Sequence, residues 1–245
     1  MDLSSVVALL ISLAIAGLLA FPLAKTLRDH APIFYGIAFV IVGVYVALVE
    51  SGANLNDWRW ATFVLQKGYL SSVLLGIVMF TGCLSASSKL RHHWRLVRGE
   101  LSVLSFIFIL GHLAVFLPSY LGRLFSGAAL KGNVRTSIIV ALVLAVIFVA
   151  LGVMSFRSVR RRMDPKLWKA IQRLAYLMVA LYLVHILFFL GTSALGGSHK
   201  GLVSLIVYGV LVLAYAVLRI RARLVYNGQL LPCEEAVPAR EARVP

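Results

Sequence analysis

Long apolar runs broken by short polar joints make up most of this chain. The runs persist for about 20 positions at a time, the length a helix needs to cross a hydrocarbon core. Seven can be marked, at roughly 3 to 24, 32 to 49, 68 to 88, 100 to 120, 136 to 156, 170 to 192 and 201 to 218. The joints leave no room for a soluble domain. The stretch after Arg223, "LVYNGQLLPCEEAVPAREARVP", is rich in Pro and Glu and reads as a surface-bound or flexible tail. The pattern predicts an all-α integral membrane protein with seven transmembrane helices.

Composition agrees with the pattern. Of 245 residues, 61% are hydrophobic and 13% charged, with a mean hydropathy of +0.93, far from the balance of a soluble domain. Cys83 and Cys233 are distant in sequence, so neither a disulfide framework nor a Cys-based metal site is indicated.

The net charge of +15 would suit nucleic acid if the cations lined one soluble face, but they sit in the joints. One set of joints carries Lys25 and Arg28; Lys89, Arg91, Arg95 and Arg98; Arg157, Arg160, Arg161, Arg162, Lys166 and Lys169; and Arg219, Arg221 and Arg223. The alternate set is sparse, with Arg59 and Lys67 offset by Glu50 and Asp57, then Arg123, Lys131 and Arg135, then Lys200. The positive-inside rule then puts the N-terminus outside and the C-terminus in the cytoplasm. No basic residue precedes the first run, so it reads as a retained span rather than a cleaved signal.

Two apolar runs each contain one histidine: His112 in "ILGHLAVFL" (109–117) and His185 in "LYLVHILFFL" (181–190). Both runs travel outward from a basic joint. His112 lies about 21 Å beyond Arg98 and His185 about 24 Å beyond Lys169 at the helical rise, so both imidazoles reach the outer half of the slab. A polar group at that depth faces the bundle interior and marks a candidate functional site.

A lone intramembrane histidine is as readily a hydrogen bond between helices. Two at matched depth on parallel helices can instead ligate one iron from both sides of a heme plane. Phe106, Phe108, Phe116, Tyr182, Phe188 and Phe189 suit a flat apolar ligand, and Gly111 would let it approach the backbone. Arg123, Lys131, Arg135, His199 and Lys200 are candidate partners for propionates at the outer surface.

The segments "VRGELSVLSFIFILGHLAVFL" (97–117) and "RRRMDPKLWKAIQRLAYLMVALYLVHILFF" (160–189) resemble the ferric-reductase-like transmembrane domain. Within it they resemble most the MsrQ-type heme-binding membrane subunit of the periplasmic methionine sulfoxide reductase system. The shared features are a basic joint leading to a late His, then a basic joint, a Trp, a Leu-Tyr pattern and a second late His.

The resemblance implies a six-helix b-type cytochrome in a bacterial plasma membrane, with His112 and His185 holding an outer heme. It divides the chain into an added N-terminal helix with its inner loop (1–31), a heme-binding domain (32–223) and a cytoplasmic tail (224–245). The family often carries a further His thirteen residues before the late one on the second ligand helix. Here that position is Gln172, and Gly99 and Arg98 occupy the matching place on the first helix. An amide is a poor iron ligand. His92 and His93 in the inner loop read as interfacial residues, so one heme b is expected. That heme would sit about 20 Å from the cytoplasmic face, leaving a gap for a flavin such as FMN, a quinone or another subunit to fill. Arg98, Gln172 and Arg173 are the candidates to line an inner cavity for such a carrier.

The favoured reading is an electron-transfer subunit in contact with membrane lipids. A quinol, a flavin reductase or another subunit would be its donor, and a redox protein on the external side its acceptor. No Ser/His/Asp arrangement, Gly-rich phosphate loop or carboxylate pair indicates chemistry on a substrate. The alternatives are a heme-free structural or anchor subunit of a larger complex, and a transporter whose histidines are hydrogen-bonded. Transport lacks the matched broken helices and internal repeat that would favour it.

Overall fold

The computed structural model describes residues 3–126 and 132–226. The described helices are α1 (Leu3–Ala20), α2 (Ala24–Asp29), α3 (Ala31–Glu50), α4 (Arg59–Gln66), α5 (Tyr69–Phe80), α6 (Lys89–Phe125), α7 (Gly132–Ser155), α8 (Arg157–Arg162), α9 (Pro165–Gln172), α10 (Leu174–Leu195) and α11 (His199–Tyr226). Seven stretches are long and apolar enough to cross a membrane: α1, α3, α4–α5, α6, α7, α9–α10 and α11. The chain is a multi-pass helical membrane protein. Lys131, Cys233 and nearly all of the tail lie outside the described residues.

Four spans differ from their expected bounds; the seventh runs on through the basic stretch to Val225 rather than ending at 218, and the other three differ for local reasons. The third begins at Asn56 rather than 68 and is interrupted at Gly68, whose φ of +65° is a left-handed conformation open to glycine at little cost. The fourth begins at Lys89 rather than 100, because the basic stretch "KLRHHWRLVRGE" is built of good helix formers and continues α6 below its apolar part. Ser88 caps it, its hydroxyl accepting from the Arg91 amide at 3.4 Å. The sixth begins at Pro165, where the Asp164 carboxylate accepts from the Lys166 and Leu167 amides at 2.8 and 2.9 Å, and it breaks at Arg173.

α6 is the axis of the bundle, with α3, α5 and α7 packed around it. Its Val97, Leu101, Leu104 and Ile107 are almost wholly buried. Small residues set its closest contacts, as expected where lipid supplies no hydrophobic drive between helices. The Ser71 hydroxyl donates to the Ser105 carbonyl at 2.8 Å and the Ser105 hydroxyl to the Ser71 carbonyl at 2.9 Å, clasping α5 to α6. Gly152 of α7 lies so near Phe106 that a Cβ there would fall 2.3 Å from the ring. α7, α10 and α11 form a second group, with α10 packed on both α7 and α11. α6 and α10, the two histidine helices, scarcely touch each other, and α7 lies against both.

The basic joints meet at one end of the bundle. His93 Nε2 is 2.9 Å from the Ala20 carbonyl, joining α6 to the end of α1. Arg157 is ion-paired to Glu100 of α6 and also donates to the Arg28 carbonyl at 3.1 Å. Arg219 of α11 donates to the Gly82 carbonyl after α5. This basic end and the opposite, far end give the bundle its polarity.

Candidate functional site

His112 and His185 sit in the far half of α6 and α10, each partly buried. The Gly68 break governs the first. Because α4 stops at Gln66, the Gln66 carbonyl has no amide four residues on to receive, and it faces His112 Nδ1 at 2.6 Å. His185 is held from α7: its Nδ1 is 3.0 Å from the Ser137 carbonyl and 2.9 Å from the Ser137 hydroxyl, which also donates to the His185 carbonyl at 3.1 Å.

A backbone carbonyl can only accept. In the neutral imidazoles the protons therefore belong on Nδ1, and the lone pairs on Nε2. Among the described residues no hydrogen-bond partner meets either Nε2. A nitrogen fixed through its neighbour to a carbonyl, with the other left basic, is the usual arrangement of a ligating histidine. The two histidine helices stay apart, with α7 against both. The donor set, one imidazole from each of two helices that scarcely touch, suits a flat group met on one face from α6 and on the other from α10. Sequence reasoning missed Gln66 and Ser137. The signal for Gln66 was the Lys-Gly pair that ends a helix; nothing in the sequence singled out Ser137.

The aromatic residues divide. Phe116 lies 4.9 Å from the His112 ring and Phe189 stacks at 6.2 Å on His185. Tyr182 meets Tyr208 edge-on at 6.0 Å, with its hydroxyl 3.5 Å from that of Ser72. Phe108 is buried in the main core, and Phe106 packs on Gly152. Gly111 faces α3, where Tyr45 and Val42 fill the space beside it, so the close approach it permits is to Tyr45. Arg123, Arg135, His199 and Lys200 are exposed at the far end, Arg123 6.0 Å from the Tyr120 ring. Phe188 belongs to an apolar cavity of about 480 Å³ between α7, α10 and α11, lined also by Asn133, Leu187, Gly191 and Thr192.

Residues 67–183 match the family of ferric reductase like transmembrane components. This segment is a ferric reductase-like transmembrane domain. His112 lies inside the match and His185 two residues past its end. An uncharacterized protein of Treponema pallidum (strain Nichols) is 35% identical over 236 residues, 93% of this chain and 64% of that relative. The chain thus spans less than two thirds of the relative's length. No solved structure matches.

Toward the basic end of the domain a small cavity of about 30 Å³ lies between α5, α6, α7, α9 and α10. Arg98 and Gln172 line it together with Ser102, Leu75, Met79 and Phe148. The Gln172 Nε2 is buried and has no hydrogen-bond partner, so it is a donor aimed at nothing the protein provides. Arg173 is exposed at the α9–α10 junction. His92 is exposed, and His93 is occupied by Ala20 and stacked on Phe21.

Proposed function

We propose that the chain is the electron-transfer subunit of a membrane redox system, carrying one b-type heme between His112 and His185. The observation that carries this reading is the pair of imidazoles whose Nδ1 atoms are bound to backbone carbonyls and whose Nε2 atoms are free. Bound there, the heme would supply a one-electron iron couple with both axial positions filled, suited to electron transfer rather than oxygen chemistry. The protein's part is to hold its ligands still and keep the site apolar. Gln66 and Ser137 fix the two rings, Phe116 and Phe189 wall the plane, and Arg123, Arg135 and Lys200 offer cations for propionates.

Gln172 replaces a second inner ligand; the cavity of about 30 Å³ that it lines with Arg98 has room for a water, so a quinone or flavin that feeds the heme would dock elsewhere at the basic end. The positive-inside rule favours the basic end facing the cytoplasm, and electrons would then pass outward through the heme to an acceptor outside a bacterial plasma membrane. Kinship to the MsrQ type suggests a sulfoxide-repair partner as that acceptor.

Reduced-minus-oxidised spectra of membranes containing the chain test the site. The expected result is b-type bands, a heme-to-protein ratio near one, and complete loss of the bands in both His112→Ala and His185→Ala. Bands that persist in either variant reject the ligand pair. The absence of bands from the wild type favours the heme-free structural subunit.

A further inference from the structure

We propose that Arg98 and Arg219 form a binding site for the phosphate of an anionic phospholipid, seated over the mouth of the inner cavity at the basic end. Arg98 of α6 lines the inner cavity beside Ala175 of α10, and Arg219 of α11 is hydrogen-bonded to Tyr176, the next residue, so two cations from different helices meet one turn of α10. Among the described residues the ion pairs are Arg28–Asp29 and Arg157–Glu100, so neither Arg98 nor Arg219 faces a carboxylate. Like charges brought together on different helices without a counter-ion call for an anion from outside.

Arg219 is held in place for it. Its Nε and Nη2 meet the Tyr176 hydroxyl at 3.0 and 2.6 Å, and Nη1 reaches the Gly82 carbonyl. Gly82 makes that reach possible, since a Cβ there would lie 3.1 Å from Nη1. Arg98 is exposed over part of its surface while it also lines the cavity, which puts it at the rim where a headgroup would sit.

The flanks decide between a lipid and a free phosphate. Leu174, Tyr176 and Leu177 on α10 and Val217, Leu218 and Ile220 on α11 are all exposed within a turn of this cluster. A soluble anion would leave those apolar surfaces unused, whereas the acyl chains of a phospholipid would cover them. Basic pockets between spans are the usual way a membrane protein holds an anionic headgroup. The site goes beyond the electron-transfer reading and does not depend on heme.

Native mass spectrometry of the purified full chain, released from nanodiscs of phosphatidylcholine doped with phosphatidylglycerol, tests this. Wild type should retain one phosphatidylglycerol. Arg98→Gln/Arg219→Gln should retain about tenfold less or worse, and Arg161→Gln/Arg162→Gln, which removes the same charge from exposed α8, should match wild type. Arg98→Lys, with helicity checked by circular dichroism, should keep most of the binding. His112→Ala should keep all of it, which separates this site from the heme site. Equal retention by the first double variant overturns the proposal, as does equal loss in the α8 variant. Millimolar inorganic phosphate stripping the lipid from wild type would overturn the lipid assignment in favour of free phosphate.

Discussion

Ser137 is one hydroxyl and one carbonyl aimed at His185 from the neighbouring helix. Ser137→Ala removes the hydroxyl and leaves the carbonyl, so the ring should keep its tautomer and lose part of its anchoring. Heme affinity is expected to fall about tenfold while the b-type spectrum survives, as a titration of the apoprotein with hemin would measure. Gly152 gives a second residue-level outcome. Its absent side chain is what allows Phe106 to reach α7, so Gly152→Ala should cost about 2 kcal/mol of stability through overpacking. Thermal unfolding in detergent reads this, and Gly152→Ala/Phe106→Leu should recover much of the loss. The intramembrane position of His112 and His185 was legible in the sequence because each is the one imidazole in an otherwise apolar stretch. Their acceptors were not, since a serine in an apolar helix looks the same whether it meets an imidazole or merely its own backbone.

At the scale of elements, Gly68 links a helix break to the proposed heme ligand His112. Gly68→Ala would place a side chain in the left-handed region at about 1 kcal/mol, with its Cβ 3.2 Å from Ile109. Relief by rewinding the break would draw the Gln66 carbonyl away from His112. Electron paramagnetic resonance of the oxidised heme is expected to show altered low-spin g-values in this variant. The ion pair joining α6 to the start of α8 is lopsided, because the Glu100 side chain is 5% exposed and Arg157 46%. Arg157→Gln strands a buried carboxylate, whereas Glu100→Gln strands a cation that water or lipid phosphate can reach. Arg157→Gln should therefore be the more damaging, by roughly 1–3 kcal/mol against a smaller loss. Melting curves of the two variants and their double test the order. The hydrophobic pattern marked the existence of all seven spans but not the breaks at Gly68 and Arg173. Both residues stand at the edge of an apolar run, where a glycine or an arginine reads as part of the joint rather than as a break inside a span.

For the whole molecule, the cations of the basic joints gather at one end, the arrangement that the positive-inside expectation requires. In a chain with Cys83 and Cys233 replaced by Ser, Ser126→Cys should react with an impermeant maleimide added outside intact cells. Arg161→Cys should react only after permeabilisation, and the reverse pattern would invert the assignment of faces. The odd number of spans and the alternation of basic and sparse joints were both readable from the chain. The separation of α6 from α10 was not, because it depends on how α7 wedges against both. The 37 residues of α6 amount to about 55 Å of helix, well beyond a slab of roughly 30 Å. Its apolar part begins near Leu101, and the turns before it are braced by α2 and by the end of α1, through His93 on Ala20. With Arg157 joining Arg28 to Glu100, a protein docking on that end would meet several helices locked together rather than one loose tip.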